Sequence, residues 1–328
     1  MSQVIEKKTA IFSVSAADYL DIELPSRVKE NLRITVSERA FVPQINDIQA
    51  DWVASIAVPA FKLIARRRQK SPARSFASIG TGVGLDALAA IEILGTTEVG
   101  VTDLYPDVVD AAAGNIASNT RPEHGLKLYA GHGDLLTPLA GRGIGFDVIY
   151  ENLPNLPLAD AAALEVERTS AGYVPPRLEN VPQFANDWML VLHYLALRQA
   201  RDFLNPGGMV ISTLGGRVPL GILADLASSA GLKPSFLTYT WKVQGEAEDI
   251  VGSYAEWQRQ GLGPFHFYRA EALEEAFASI DLEESGLRAL EIEKQIAPLR
   301  LDAIAAWDAL QHGERIGHTV AVLKSELD

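Results

Sequence analysis

Three glycines on alternate positions, Gly80, Gly82 and Gly84, follow the apolar run Phe76-Ala77-Ser78-Ile79 and precede Leu85-Asp86-Ala87-Leu88-Ala89-Ala90-Ile91-Glu92-Ile93-Leu94. The pattern reads as strand, tight turn, helix. Without Cβ atoms at 80, 82 and 84, the backbone, with Thr81 between the first two, can turn sharply and let a ligand approach closely. The helix behind the turn points its free N–H groups at the same place. Glu98-Val99-Gly100-Val101-Thr102-Asp103 is a second strand ending in an acid, nineteen residues after Gly84. A carboxylate there can accept both ribose hydroxyls of a bound nucleoside. A further polar cluster, Tyr150-Glu151-Asn152-Leu153-Pro154-Asn155, closes the apolar strand that starts at Phe146. Ligands of open parallel sheets bind outside the carboxyl ends of the strands, so residues 150–155 should face one.

The spacing is G-x-G-x-G, with Leu85 where a dinucleotide site would place its third glycine. The segment resembles motif I of the class I S-adenosylmethionine-dependent methyltransferases. The resemblance implies S-adenosyl-L-methionine as cofactor and S-adenosyl-L-homocysteine as product, held by Gly80, Thr81, Gly82, Gly84 and Asp103. Ser78 stands where that family usually has Asp or Glu. Leu126-Lys127-Leu128-Tyr129-Ala130 reads as a third strand leading to Gly131-His132-Gly133-Asp134, and Asp134 matches the family's acceptor for the adenine amino group. Asp134 also fits a turn acid or a helix cap. Phe41-Val42-Pro43 precedes Ile45, Ile48, Trp52, Val53 and Ile56 at helical spacing. It resembles the segment that closes over the cofactor in protein-glutamine and related amino-methylating enzymes, which implies a cofactor contact for Phe41. The spacing by itself gives a helix packing an apolar stripe on the sheet.

The loop Asn152-Leu153-Pro154-Asn155 is similar to motif IV of amino-methylating enzymes. That motif is Asp/Asn-Pro-Pro-Tyr in the glutamine and adenine methylators and Asn-Leu-Pro-Tyr in the rRNA adenine dimethylases. Here Asn155 replaces the aromatic residue. Methyl transfer from a sulfonium is an in-line displacement with an excellent leaving group, so the protein mainly has to aim a lone pair. The Asn152 side-chain oxygen, a further cofactor contact by this resemblance, and the next carbonyl can each accept an N–H of an amine or amide. Pro154 fixes the turn. Glu151 is the one acid beside the loop, either a base for the nucleophile or a strand-end ion-pair partner. Tyr150, Leu153 and Asn155 are the expected neighbours of the acceptor. Tyr173, in the Pro-rich connection 156–186, and His266, in the aromatic run Gly263-Pro264-Phe265-His266-Phe267-Tyr268, complete the expected substrate-binding set. That run can wall a pocket for a cationic group or pack under a cap.

These side chains need an α/β frame. Apolar strands at 209–214, 236–243 and 318–323, with a helix from Trp188 to Leu204 stopped by Asn205-Pro206-Gly207-Gly208, extend the pattern. Helical periodicity recurs near 246–260, 270–281, 286–296 and 299–312. The expected fold class is a Rossmann-like, seven-stranded class I methyltransferase sheet with its last strand antiparallel, plus a helical N-terminal segment and a helical insert. The expected boundaries are 1–70 for that segment and 71–243 for the core, with a substrate loop at 155–186. The insert is expected at 244–315 and the final strand at 316–328. The basic run Arg66-Arg67-Arg68-Gln69-Lys70 reads as a solvated linker before the first core strand.

Composition narrows the function. Lys and Arg number 29 against 42 Asp and Glu, a formal net charge of −13. Residues 244–328 hold seven of those bases and seventeen of the acids. Such a surface repels phosphate backbones, which disfavours nucleic acid as partner. No cysteine is present, which excludes disulfides, thiolate metal sites and Cys nucleophiles. The six histidines show no metal-ligand spacing, so no metal is expected. Met1–Lys8 carry no apolar signal region, and the apolar stretch Trp52 to Phe61 is too short to span a bilayer. The expectation is a cytoplasmic enzyme that N-methylates an amine or amide of a small molecule in specialised metabolism, with the insert as a lid or a homodimer contact. A protein-glutamine methyltransferase is one alternative. A nicotinamide-dependent oxidoreductase, or a nucleotide-binding protein without catalysis, is the alternative of another class.

Overall fold

The computed structural model describes residues 10–155 and 177–327. The chain divides into two compact units, Met1–Ile149 and Tyr150–Asp328. Among the described residues no helix is long and apolar enough to cross a membrane.

The first unit opens with an antiparallel pair, β1 (Ala10–Ser15) and β2 (Asn31–Val36), around the short helix Ala16–Leu20. The expected N-terminal segment was helical, so β1 is a correction. Its six residues bury little, and it is a strand because Val14 pairs with Leu32 and Phe12 with Ile34. Two asparagines of helix Pro106–Asn119 bond the backbone of β2. Asn115 accepts from Thr35 N and donates to Thr35 O, both at 2.8 Å. Asn119 does the same for Arg33 at 2.8 and 2.9 Å. One helical turn apart on one face, they satisfy backbone groups that would otherwise need water.

The helix expected from Ile45 starts later. Residues 41–51 form no helix, and a π-helical turn, Val53–Ala57, leads into helix Val58–Arg67. Pro59 has no N–H to close the α-helical ladder there. The Asp51 carboxylate holds the entry, accepting from Val53 N, Ala54 N, Gln44 N and the Tyr19 hydroxyl at 2.7–3.0 Å. Arg66 and Arg67 form the last turn of this helix rather than a linker, where cations suit the carbonyl end.

The strands β3 (Ser75–Ile79), β4 (Glu98–Asp103), β5 (Lys127–His132) and β6 (Phe146–Glu151) follow in the order β5-β4-β3-β6. β3, β4 and β5 are parallel, with Ile79 opposite Thr102 and Asp103 opposite His132. Helices Leu85–Ile93 and Pro106–Asn119 make the crossovers. All of β3 is buried, as the middle of a parallel sheet requires.

In the second unit β7 (Leu204–Gly215), β8 (Lys233–Val243) and β10 (Ile316–Glu326) take the order β7-β10-β8, and β10 is antiparallel to both neighbours. The two-residue β9 (Tyr268–Arg269), unexpected from sequence, pairs with the start of β10. β7 already begins at Leu204, so the Asn-Pro-Gly-Gly stretch belongs to it; the preceding helix ends at Ala200 in a 3-10 turn. Between β8 and β10 lie helices Ala247–Arg259, Ala270–Phe277, Leu282–Ser285, Ala289–Ile296 and Ala303–Gln311. Tyr254, Trp257, Phe265, Phe267, Ala306 and Ile316 share one buried cluster there. The fold is of the Rossmann-like α/β class expected, mostly parallel with its last strand antiparallel.

Candidate functional site

The glycine turn sits at the end of β3. Gly80 N and Thr81 N both donate to Thr102 O, at 2.9 and 3.0 Å, and Gly84 N donates to Thr81 O at 2.9 Å. Gly80, Gly82 and Gly84 all have positive φ, +68°, +53° and +82°, which L side chains rarely adopt. The glycines at 82 and 84 differ in purpose. A Cβ at Gly84 would lie 3.2 Å from Ile116 of the next helix, so this glycine allows close packing. A Cβ at Gly82 would meet no described atom within 4 Å, so this one leaves the backbone open to a ligand.

Asp103 ends β4 and reaches that open position. Its Oδ2 accepts from Gly82 N at 3.2 Å. Burial raises its pKa, partly offset by the N–H groups of Gly82, Tyr105 and Leu104. Asp134 stands in the turn after β5, where its carbonyl accepts from Thr137 N at 2.9 Å. Phe41 lies in the irregular stretch before the π turn and is exposed.

Sequence reasoning missed Asp86. It is buried in the first turn of helix Leu85–Ile93, beneath the glycine turn. The Ser78 hydroxyl donates to Oδ2, while Oδ1 accepts from Ala87 N at 2.7 Å and from the Thr81 hydroxyl at 3.3 Å. A carboxylate therefore supports this turn after all, carried by the helix rather than by position 78 of the strand. Burial outweighs these bonds and raises its pKa to about 6.

In the second unit Tyr150 and Glu151 are buried, and Asn152, Leu153, Pro154 and Asn155 are half-buried. Glu151 has no access to solvent. Its Oε2 lies 2.8 Å from His193 Nδ1 and 3.2 Å from Leu153 N, its Oε1 3.0 Å from His193 Nδ1. Glu151 is thus the partner of a buried histidine. His193 Nε2 in turn lies 3.1 Å from Asn155 Oδ1. Asn155 Nδ2 is buried and unbonded in this orientation; with the amide turned, its NH₂ donates to Nε2 and Nδ1–H donates to Glu151. The chain Glu151–His193–Asn155 thus ties residues 151–155 to helix Val191–Ala200.

His193 was the other omission. Its signal was a lone imidazole in the apolar helix Val191–Ala200, which carries no sign of the carboxylate 42 residues earlier. His266 is buried with its ring 6.2 Å from that of Trp188. Burial, then Arg300, pulls its pKa down to about 4, which leaves it neutral. Phe265 and Phe267 pack in the buried cluster, so this run includes core packing. Tyr173 lies outside the described residues.

No family model matches this chain, and no curated protein does. Solved structures do. A ribosomal protein L11 methylase from Lactobacillus delbrueckii subsp. bulgaricus is 20% identical, covering 55% of this chain and 70% of its own, with a TM-score of 0.35. The 16S rRNA N2 G1207 methyltransferase of T. thermophilus, in complex with AdoMet and guanosine, is 14% identical and covers 65% of this chain and 46% of its own, with a TM-score of 0.40. A sugar N-methyltransferase from Streptoalloteichus is 13% identical, with coverages of 54% and 79% and a TM-score of 0.33. These identities and scores are too low to assign an activity, an acceptor or a residue role to this chain.

Proposed function

We propose that this chain is an S-adenosylmethionine-dependent methyltransferase acting on a nitrogen of a small molecule. The observation that carries the reading is the Asp103 carboxylate on the N–H of Gly82, over a turn whose three glycines all have positive φ. That is an open backbone cradle with an acid at its rim, as a nucleoside requires. When bound, the cofactor supplies an electrophilic methyl on a sulfonium. Gly80, Thr81, Gly82 and Gly84 hold it by backbone approach, Asp103 accepts the ribose hydroxyls and Asp134 accepts from the adenine. Asn152 and Pro154 orient the acceptor's N–H groups. Glu151 acts through His193, which keeps Asn155 in place. The formal charge of −13 supports a small acceptor over nucleic acid.

Calorimetric titration with S-adenosylmethionine, S-adenosylhomocysteine and, as control, NADH tests this. The first two are expected to bind one per chain. Asp103→Ala removes hydrogen bonds to a charged acceptor worth about 1.5–3 kcal/mol, so affinity should fall roughly tenfold to a hundredfold. Binding of NADH instead, or unchanged affinity in the variant, refutes the reading.

A further inference from the structure

Arg217 is a buried cation that no anion meets among the described residues. It lies two residues beyond the end of β7, between Gly216 and Val218, and is 8% exposed. Its Nη2 and Nε both donate to Gln244 Oε1, at 2.6 and 3.2 Å. Its Cζ lies 5.1 Å from the centre of the Tyr254 ring and 5.9 Å from that of Phe267. Among the described residues no carboxylate pairs with it. Burial accordingly pulls its pKa below the ordinary value.

Removing a guanidinium from water costs several kcal/mol. One neutral amide and two ring faces offset only part of that. A guanidinium has five N–H groups; Gln244 takes one from Nε and one from Nη2, which leaves both N–H groups of Nη1 for a ligand. Lys242 is buried nearby, and His318 is fully buried, with burial, then Arg217 and Lys242, holding it neutral. Residues 244–328 hold seventeen acids, yet among the described residues none is set against Arg217. The chain also makes room for the side chain. A Cβ at Gly215 would lie 3.2 Å from Arg217 Cζ and closer still to Nη1.

Arg217 lies close along the sheet to the Asn152 loop. The Thr213 hydroxyl, near the end of β7, lies 3.4 Å from the Tyr150 hydroxyl, one residue before the end of β6. The loop carrying Asn152 and the loop carrying Arg217 therefore leave from neighbouring strand ends of the second unit. His266 N donates to Arg217 O at 2.8 Å, and Gly263 N to Asp187 O at 3.0 Å, which joins this loop, the insert and the segment before the His193 helix.

We propose that Arg217 is the anion-binding residue of the acceptor site, taking a carboxylate or a phosphate carried by the molecule whose nitrogen is methylated. The proposal rests on the methyltransferase reading. It makes the acceptor an amino acid-like or phosphorylated amine, held at its anionic end while the Asn152 loop orients its nitrogen. The planar fork of Arg suits either oxyanion in two-point contact.

The test is titration of the full chain, with and without saturating S-adenosylhomocysteine, using succinate and inorganic phosphate as separate probes. Wild type is expected to bind one of them, and the tighter probe names the acceptor's group. Persistence with S-adenosylhomocysteine bound shows that the site is not the cofactor's own carboxylate pocket. Arg217→Gln should weaken binding at least about tenfold, while Arg217→Lys, which keeps the charge and loses the fork, should fall between. If the Gln variant does not fold, wild type against the Lys variant carries the comparison. Absence of binding to wild type, or equal binding by the folded variants, overturns the proposal. Failure of S-adenosylhomocysteine to bind instead overturns the methyltransferase reading, and with it the assignment to an acceptor.

Discussion

Asp86→Asn isolates the charge under the glycine turn. The carboxyl takes Ser78 on one oxygen and Ala87 N and Thr81 on the other. An amide keeps this set, with its oxygen on Ala87 N and its NH₂ donating to the Ser78 hydroxyl, which can accept. Only the ionisation is lost. The pKa of Asp86 rises from 3.8 to about 6 on folding. Between those values the folded chain keeps a proton that the unfolded chain has released, so wild-type stability falls as pH rises from about 4 to about 6 and is flat with respect to this group above that. A rise of about two units at about 1.4 kcal/mol each makes the fall about 3 kcal/mol. Urea unfolding of both proteins at a series of pH values measures it, and the absence of cysteine keeps thiol chemistry out of the comparison. The difference between the two stabilities should change by about 3 kcal/mol in favour of the variant across that window. Parallel curves would show that Asp86 ionises in the folded chain as freely as in the unfolded one, and the argument from burial would be wrong.

Glu92 accepts from Ser26 N and Oγ, Arg27 N and Val28 N at 2.7–3.0 Å. Burial opposes its charge, but these bonds win and its pKa is lowered, so its contribution is present above 4.5 and fades as pH falls through the folded value. Glu92→Gln should cost about 2 kcal/mol in urea unfolding at neutral pH and less in acid; an equal cost at both would contradict this. His193→Ala leaves the Glu151 carboxylate buried with only the Leu153 N–H on it, with an expected loss of about 3–5 kcal/mol. Adding Glu151→Gln should recover part of it, and a purely additive double mutant would deny the coupling. At Gly286 a Cβ would come within 2.5 Å of Phe236 O and the Leu237 carbonyl carbon, both backbone atoms of β8. Gly286→Ala should therefore lift the insert from that strand, and hydrogen exchange at β8 amides should rise in the variant; unchanged protection would place the docking elsewhere.

Much of this protein is written locally. The strand, turn and helix around Gly80–Gly84, and Asp103 nineteen residues on, are legible because each depends on neighbours in the chain: glycine where φ is positive, apolar residues where a strand is buried. The crossover helices follow from the same periodicity. What the sequence could not show are pairings between residues far apart. β1 is a strand only because β2 lies beside it, and β8 meets β10 across five helices. Ser78 read as a missing acid until the next helix brought Asp86 beneath it. Glu151 read as a base or an ion-pair partner; only the fold places His193 on it and closes it from water. Arg217 carried no motif, and its burial beside Gln244 and Tyr254 gives it meaning. Turn geometry and periodicity are local and repeat along the chain. The charge state and reach of a side chain depend on what surrounds it, and that is set by tertiary packing.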